Sequence, residues 1–262
     1  LNGGIGHFEP MDFIQVDGEV TSFYNALQLN IKRIRRAHEG EYDAKDYFPV
    51  SDKNVDAMYK ELLGLAATVK HEKMRQLVNS FFVDDPDFQK RFKEHSAAKS
   101  VHHGYIGGLL EHTLAVTKLC DYYCKQYPIL NRDLLIPAAM FHDIGKLEEL
   151  SDFPNNDYTD DGQLLGHIVI GCEMIGARIR MIPGFPPKLA SELKHCILAH
   201  HGEFEYGSPK KPALIEALAL NFADDTDAKL QIMIELFKGN PSNDWLGFNR
   251  LLESNIRKTV LE

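Results

Sequence analysis

Apolar positions change rhythm along the chain near residue 43. Before it, Phe13, Ile14, Val16 and Val20 form one strand-like run, and Leu27, Leu29, Ile31 and Ile34 alternate with polar residues in a second. Asn25-Ala26 lies between the runs, where a hairpin turn is expected. Two strands are marginal alone in water, so they are expected to join a sheet completed elsewhere. After a polar connector at 43–49 the pattern is helical to about residue 238. The spacing predicts helices over 55–69, 72–83, 86–95, 107–126, 132–142, 163–181, 188–200 and 213–237. Pro128, Pro154 with Asn155-Asn156, Pro183-Gly184 with Pro186-Pro187, and Gly207-Ser208-Pro209 mark the loops between them. The tail, 244–262, is too short to assign. The expectation is a mostly α protein with a small β segment over 1–49 and a helical domain over 50–262.

Composition changes this picture little. With 262 residues, 44% hydrophobic and 26% charged, the chain is ordinary for a soluble globular protein of one large domain, or one domain and an appendage. No run approaches the ~18 apolar residues of a membrane helix, so no membrane partner is expected. No basic stretch followed by an apolar core opens the chain, so no secretory leader is expected; its first residue, Leu1, is read as a start partway through a longer protein. Cys120, Cys124, Cys172 and Cys196 lack the C-x2-C spacing of structural zinc sites and form no disulfide frame. They read as reduced core residues of a cytoplasmic protein. A net charge of −9 argues against coating nucleic acid by bulk electrostatics, but leaves room for a nuclease with cations in its site.

The chemistry lies in where histidine and aspartate fall. His112 shares a helical face with Leu109, Val116 and Leu119. His142 ends a helix beyond Leu135, Ala138 and Ala139; Asp143 follows at once, and Gly145 is expected to release the helix as its C-cap. His167, after Gly166, shares a face with Ile170, Gly171 and Met174. His200 continues the face of Leu189, Leu193 and Ile197, with His201 as the alternative ligand, and Asp224 follows Leu214, Ala217 and Asn221. A single inward histidine is most often a core residue bonded to backbone. An inward aspartate needs a cation or donors, because burying an unpaired carboxylate is costly. Six such groups turned inward are most economically explained by shared metals. Imidazoles and carboxylates without thiolate favour two divalent ions of the manganese or iron kind over closed structural zinc. Mn²⁺ is the first expectation, with Fe²⁺, Mg²⁺, Co²⁺ or Ni²⁺ as alternatives. If Asp143 bridges them, two ions ~3.5–4 Å apart can activate water and stabilise the entering and leaving oxygens at phosphorus.

The order His112, His142-Asp143, Asp224 resembles the H…HD…D signature of the HD superfamily, and Phe141-His142-Asp143-Ile144-Gly145-Lys146 is similar to its central motif. His167 and His200 match the two further histidines of its dinuclear members. His102-His103-Gly104-Tyr105-Ile106-Gly107-Gly108-Leu109-Leu110-Glu111-His112-Thr113 is similar to the opening motif of the YhaM-type 3′–5′ exoribonucleases. So are His200-His201-Gly202-Glu203, Tyr206-Gly207-Ser208-Pro209-Lys210-Lys211-Pro212, Glu216-Ala217 and Ala223-Asp224. The resemblance covers roughly residues 12–250. It implies a helical HD domain preceded by an OB-fold, of which 15–36 looks like the last strands. Asn221 departs from the histidine found there in many relatives, at a position that is not a metal ligand.

Other residues follow as expectations. Lys146 is placed to meet a substrate phosphate or steady a leaving group. His102 and His103 could touch the scissile phosphate or give a proton, against a purely structural loop role. Lys210 and Lys211, and His201 beside them, could guide a phosphate backbone, although a charged loop pair is more often simply solvated. Lys32, Arg33, Arg35 and Arg36 with Phe23 and Tyr24 could serve a single strand, or be a solvated strand end. Glu111 either orients an imidazole or faces solvent. The leading function is hydrolysis of single-stranded RNA, or DNA, from its 3′ end to nucleoside 5′-monophosphates, by a protein that could self-associate. The alternatives are a phosphohydrolase of nucleotides or cyclic dinucleotides, and a non-catalytic nucleic-acid-binding module.

Overall fold

Strand β1 (Ile14–Phe23) pairs antiparallel with β2 (Ala26–Arg36). The register slips at Asp17/Gly18, where Asp17 faces Arg33 and Gly18 faces Ile31, leaving Lys32 as an extra residue on β2. That bulge corrects parity: Ile34 pairs with Val16 and Leu29 with Val20, so the apolar residues of both strands share one face. A Cβ on Gly18 would lie 2.5 Å from the Asn30 carbonyl oxygen, so glycine is required there. Val20, Leu27, Leu29 and Ile31 remain exposed. At the basic end Lys32 pairs with Glu19, Arg35 with Glu41 at 2.7 Å, and Arg36 with Asp12, so three of the four expected strand-binding cations already have carboxylate partners. Tyr24 and Asn25 of the expected turn lie outside the described residues.

These are features of a computed structural model that describes residues 8–9, 12–23, 26–42, 46–99, 103–153, 155–240, 242 and 244–260. It divides into two compact units, Leu1–Pro49 and Val50–Glu262. The second is helical: α1 (Val55–Ala66), α2 (Glu72–Phe82), α3 (Pro86–Glu94), α4 (Gly108–Gln126), α5 (Arg132–Phe141), α6 (Lys146–Glu149), α7 (Asp160–Leu164), α8 (Gly166–Arg180), α9 (Pro187–Leu198) and α10 (Ile215–Lys238). Asn54, Asp85, Asn131 and Thr159 cap the starts of α1, α3, α5 and α7 with their side-chain oxygens. Helix α4 packs on α1, α5 and α10. Its Leu109 and Leu110 are fully buried, each contributing about 1.5–3 kcal/mol of apolar burial. Phe81, Phe82, Phe88, Phe92 and Phe141 form an edge-to-face cluster between α2, α3 and α5. Among the described residues no helix is long and apolar enough to cross a membrane.

The structure differs from expectation in three places. The helix expected over 163–181 is two, α7 and α8, because Gly166 takes φ +74° between them. Gly145 is not a left-handed C-cap: it has φ −64°, and the chain continues through a turn into α6. Its Cβ would lie 2.0 Å from the His167 carbonyl oxygen, so the glycine lets α6 and α8 touch rather than ending α5. The unassigned tail forms a hairpin, β3 (Trp245–Asn249) with β4 (Ser254–Arg257).

Candidate metal centre

Helices α4, α8, α9 and α10 and the end of α5 each bring imidazole or carboxylate to one place. In all four expected histidine ligands Nδ1 is occupied. His112 Nδ1 lies 2.7 Å from Asp227 Oδ2 and His167 Nδ1 lies 2.9 Å from Glu149 Oε1. His142 and His200, each just past a helix end, turn Nδ1 back to the carbonyls of Ala139 (2.8 Å) and Ile197 (2.6 Å). Carbonyls and carboxylates only accept, so each Nδ1 carries the proton and each Nε2 is left for the interior.

All four Nε2 atoms face Asp143, which is 2% exposed. Its Oδ2 lies 3.4 Å from His112 Nε2 and 3.3 Å from His142 Nε2; its Oδ1 lies 3.4 Å from His167 Nε2 and 3.7 Å from His200 Nε2. Asp224 Oδ1 completes the first side, 3.1 Å from His112 Nε2. His112, His142 and Asp224 form one group able to hold a cation, and His167, His200 and His201 another. Asp143 Oδ1, His167 Nε2 and His200 Nε2 are buried with no hydrogen-bond partner. Such atoms are costly unless something satisfies them, and a divalent cation is what this donor set suits.

The electrostatics agree. Burial opposes charge on His112, but Asp224 and Asp227 outweigh it and push the ring up to about 10, so the pocket demands positive charge there. Burial alone would push the Asp143 and Asp224 carboxyls up, yet Lys146 and His142 hold Asp143, and His112 and His142 hold Asp224, well below the usual carboxylate range. Burial holds His200 well below the imidazole range, with His201 adding to it, so its ring is neutral and its Nε2 lone pair free to ligate.

Lys146 Nζ lies 2.7 Å from Asp143 Oδ2, at a cavity of about 520 Å³ also lined by His112, Asp143, His201, Tyr206, Phe222 and Asp224. His201 stands beside His200, their ring centroids 4.3 Å apart, with Nδ1 2.8 Å from the Tyr206 carbonyl. His103 is buried, with Nδ1 3.0 Å from the Tyr105 hydroxyl and Nε2 3.0 Å from Asp227 Oδ2. It therefore stands behind His112 rather than in the cavity. His102 lies outside the described residues. Lys211 pairs with Glu203, and neither Lys210 nor Lys211 is among the cavity-lining residues. Glu111 is buried and bonds Lys53, Ser51 and Tyr105 rather than an imidazole. Asn221 donates to the His200 carbonyl at 2.7 Å, fixing the end of α9.

Sequence reasoning missed Asp227 and Glu149. The signal for Asp227 was its position three residues after Asp224, on the same face of α10. No comparable spacing pointed to Glu149, which meets His167 only because α6 returns across α8.

A tandem His-Asp where the ligands of four other helices meet defines a metal-dependent phosphohydrolase of the HD type, and the HD domain family matches residues 109–229. The chain belongs to the HD superfamily, in its YhaM-like group. It is 30% identical over 227 residues to the 3′-5′ exoribonuclease YhaM of Geobacillus sp. (strain WCH70), covering 86% of this chain and 69% of that protein. No solved structure matches it.

Proposed function

We propose that this protein is a 3′–5′ exoribonuclease that shortens single-stranded RNA, with DNA as the alternative substrate, releasing nucleoside 5′-monophosphates. The observation that carries the reading is Asp143, with one oxygen toward His112 and His142 and the other toward His167 and His200. The similarity to an exoribonuclease over most of the chain supports the substrate class. His112, His142, Asp224 and Asp143 Oδ2 would hold one ion, and Asp143 Oδ1, His167 and His200 the other, with His201 at hand. The nitrogen and oxygen donors favour manganese. Bound divalent ions supply Lewis acidity, lower the pKa of water and balance charge at phosphorus. In the hydrolysis, water oxygen joins the phosphorus of the terminal nucleotide and the bond to the 3′ oxygen of the preceding one breaks. That oxygen takes a proton and becomes the new 3′ hydroxyl. Lys146 places a fixed positive charge at the cavity for the phosphate, while Asp227 and Glu149 hold the His112 and His167 rings in register. The four free cysteines fit a reducing, cytoplasmic setting.

Digestion of a 5′-labelled single-stranded RNA, with Mn²⁺ and with chelator, tests the reading. A metal-dependent ladder shortening from the 3′ end, absent in Asp143→Ala, is expected. Intact RNA alongside rapid turnover of mononucleotides or cyclic dinucleotides would overturn it.

A further inference from the structure

Two aromatic side chains stand at the mouth of the metal cavity with most of their surface bare. Tyr206 is 71% exposed and Phe222 55%, and both line the cavity that holds His112, Asp143, Lys146 and Asp224. Phe222 lies on α10 two residues before Asp224. Tyr206 ends a short 3-10 turn, Phe204–Tyr206, set between Gly202 (φ +79°) and Gly207 (φ +82°). A Cβ on Gly202 would lie 2.7 Å from the Asn221 side chain, and the Tyr206 carbonyl bonds His201, so both ends of this loop are pinned to the centre.

The charges on this rim largely cancel. Lys229 pairs with Asp225 at 2.9 Å, and Lys211 pairs with Glu203. Asp225, Glu203 and Lys229 line the cavity with the aromatics, while Lys146, deeper, is paired with Asp143 at the centre. A second phosphate gains little from a rim whose cations are already matched. A neutral, flat, apolar group gains the faces of two exposed rings. A cavity of about 520 Å³ is of the size that takes one nucleotide.

Resting on the exonuclease reading above, we propose that Tyr206 and Phe222 form a stacking rim for the base of the nucleotide being released, the scissile phosphate lying at Asp143. Stacking accepts any base, because every base has a π face, so the rim selects an unpaired 3′ end without selecting sequence. A base-paired end cannot offer its face to these rings until it is unstacked.

The test measures KM and kcat, with Mn²⁺, on a single-stranded RNA and on the same RNA lacking its 3′-terminal base. Wild type, Tyr206→Ala, Tyr206→Phe and Phe222→Ala are compared. Both side chains are exposed and Tyr206→Ala keeps the carbonyl that His201 uses. The expected result is a KM raised roughly 5- to 100-fold in Tyr206→Ala and Phe222→Ala on the intact RNA, with kcat little changed and Tyr206→Phe close to wild type. On the abasic RNA, wild type falls to the level of the alanine variants. Wild type that shortens RNA while both alanine variants keep its KM and its preference for the terminal base overturns the rim and leaves the exonuclease standing. A loss in kcat alone also overturns it, pointing to the loop's tie to His201. Wild type that shortens neither RNA removes the exonuclease reading, and the rim with it.

Discussion

The two halves of the metal centre use similar residues and are satisfied in different ways. Around His112, His142 and Asp224 the donors answer one another, with His112 Nε2 3.1 Å from both His142 Nε2 and Asp224 Oδ1. Asp227 adds a further carboxylate behind. Around His167 and His200, two imidazole nitrogens and Asp143 Oδ1 are buried with nothing to bond. The first half can take a proton in place of an ion, since its carboxylates hold His112 charged. The second half has no such substitute, and each orphaned atom costs about 1–3 kcal/mol. Proton and metal would therefore compete in one half, while in the other a metal would relieve a penalty that no hydrogen bond among the described residues relieves.

The sharpest way to break this comparison is Asp143→Ala, which removes the oxygen from both halves at once. Bound metal measured by elemental analysis should fall in both, and hydrolysis should drop by about 10³-fold or more. A variant that keeps one ion at full occupancy would show that Asp143 does not join them. Next in size are Asp227→Asn and Glu149→Gln. Each should weaken metal affinity about 10- to 100-fold in its own half only, read from a two-site metal titration. Loss at the same site in both variants would dissolve the division. Gly145→Ala pushes a methyl against the His167 carbonyl, 2.0 Å away, and should lower stability by about 1–3 kcal/mol in thermal unfolding. It should also empty the His167 half before the other. The smallest effect belongs to His201→Ala, under about tenfold in activity against a far larger loss in His200→Ala, because of these two neighbours it is His200 whose Nε2 is fully buried and partnerless.

Periodicity was clearest where one face is buried, as in α1, α2 and α9, because there apolar spacing and burial coincide. It failed at 163–166, where Leu164 and Leu165 continue the apolar pattern yet are exposed, and Gly166 breaks the helix by its sign of φ. Gly145 was misread for a related reason. Glycine ends helices and also permits close approach, and only the position of α8 separates these. The inward faces exposed His112, Asp143, His167, His200 and Asp224 as a group because buried charge is unusual on an apolar stripe. Asp227 was hidden in the run Asp224-Asp225-Thr226-Asp227, which reads as a solvated acidic surface. Its partners, His103 and His112, lie more than a hundred residues away in sequence. Packing partners of that kind leave no local trace.

With Nδ1 of all four histidines tied to an acceptor, each ring's orientation is set before any ion arrives. The imidazoles have little rotational freedom left to surrender on binding, so loading costs little conformational entropy. The centre then behaves as a rigid chelator, in which cations are ranked by ionic radius and ligand-field preference rather than by how far the protein will bend to meet them.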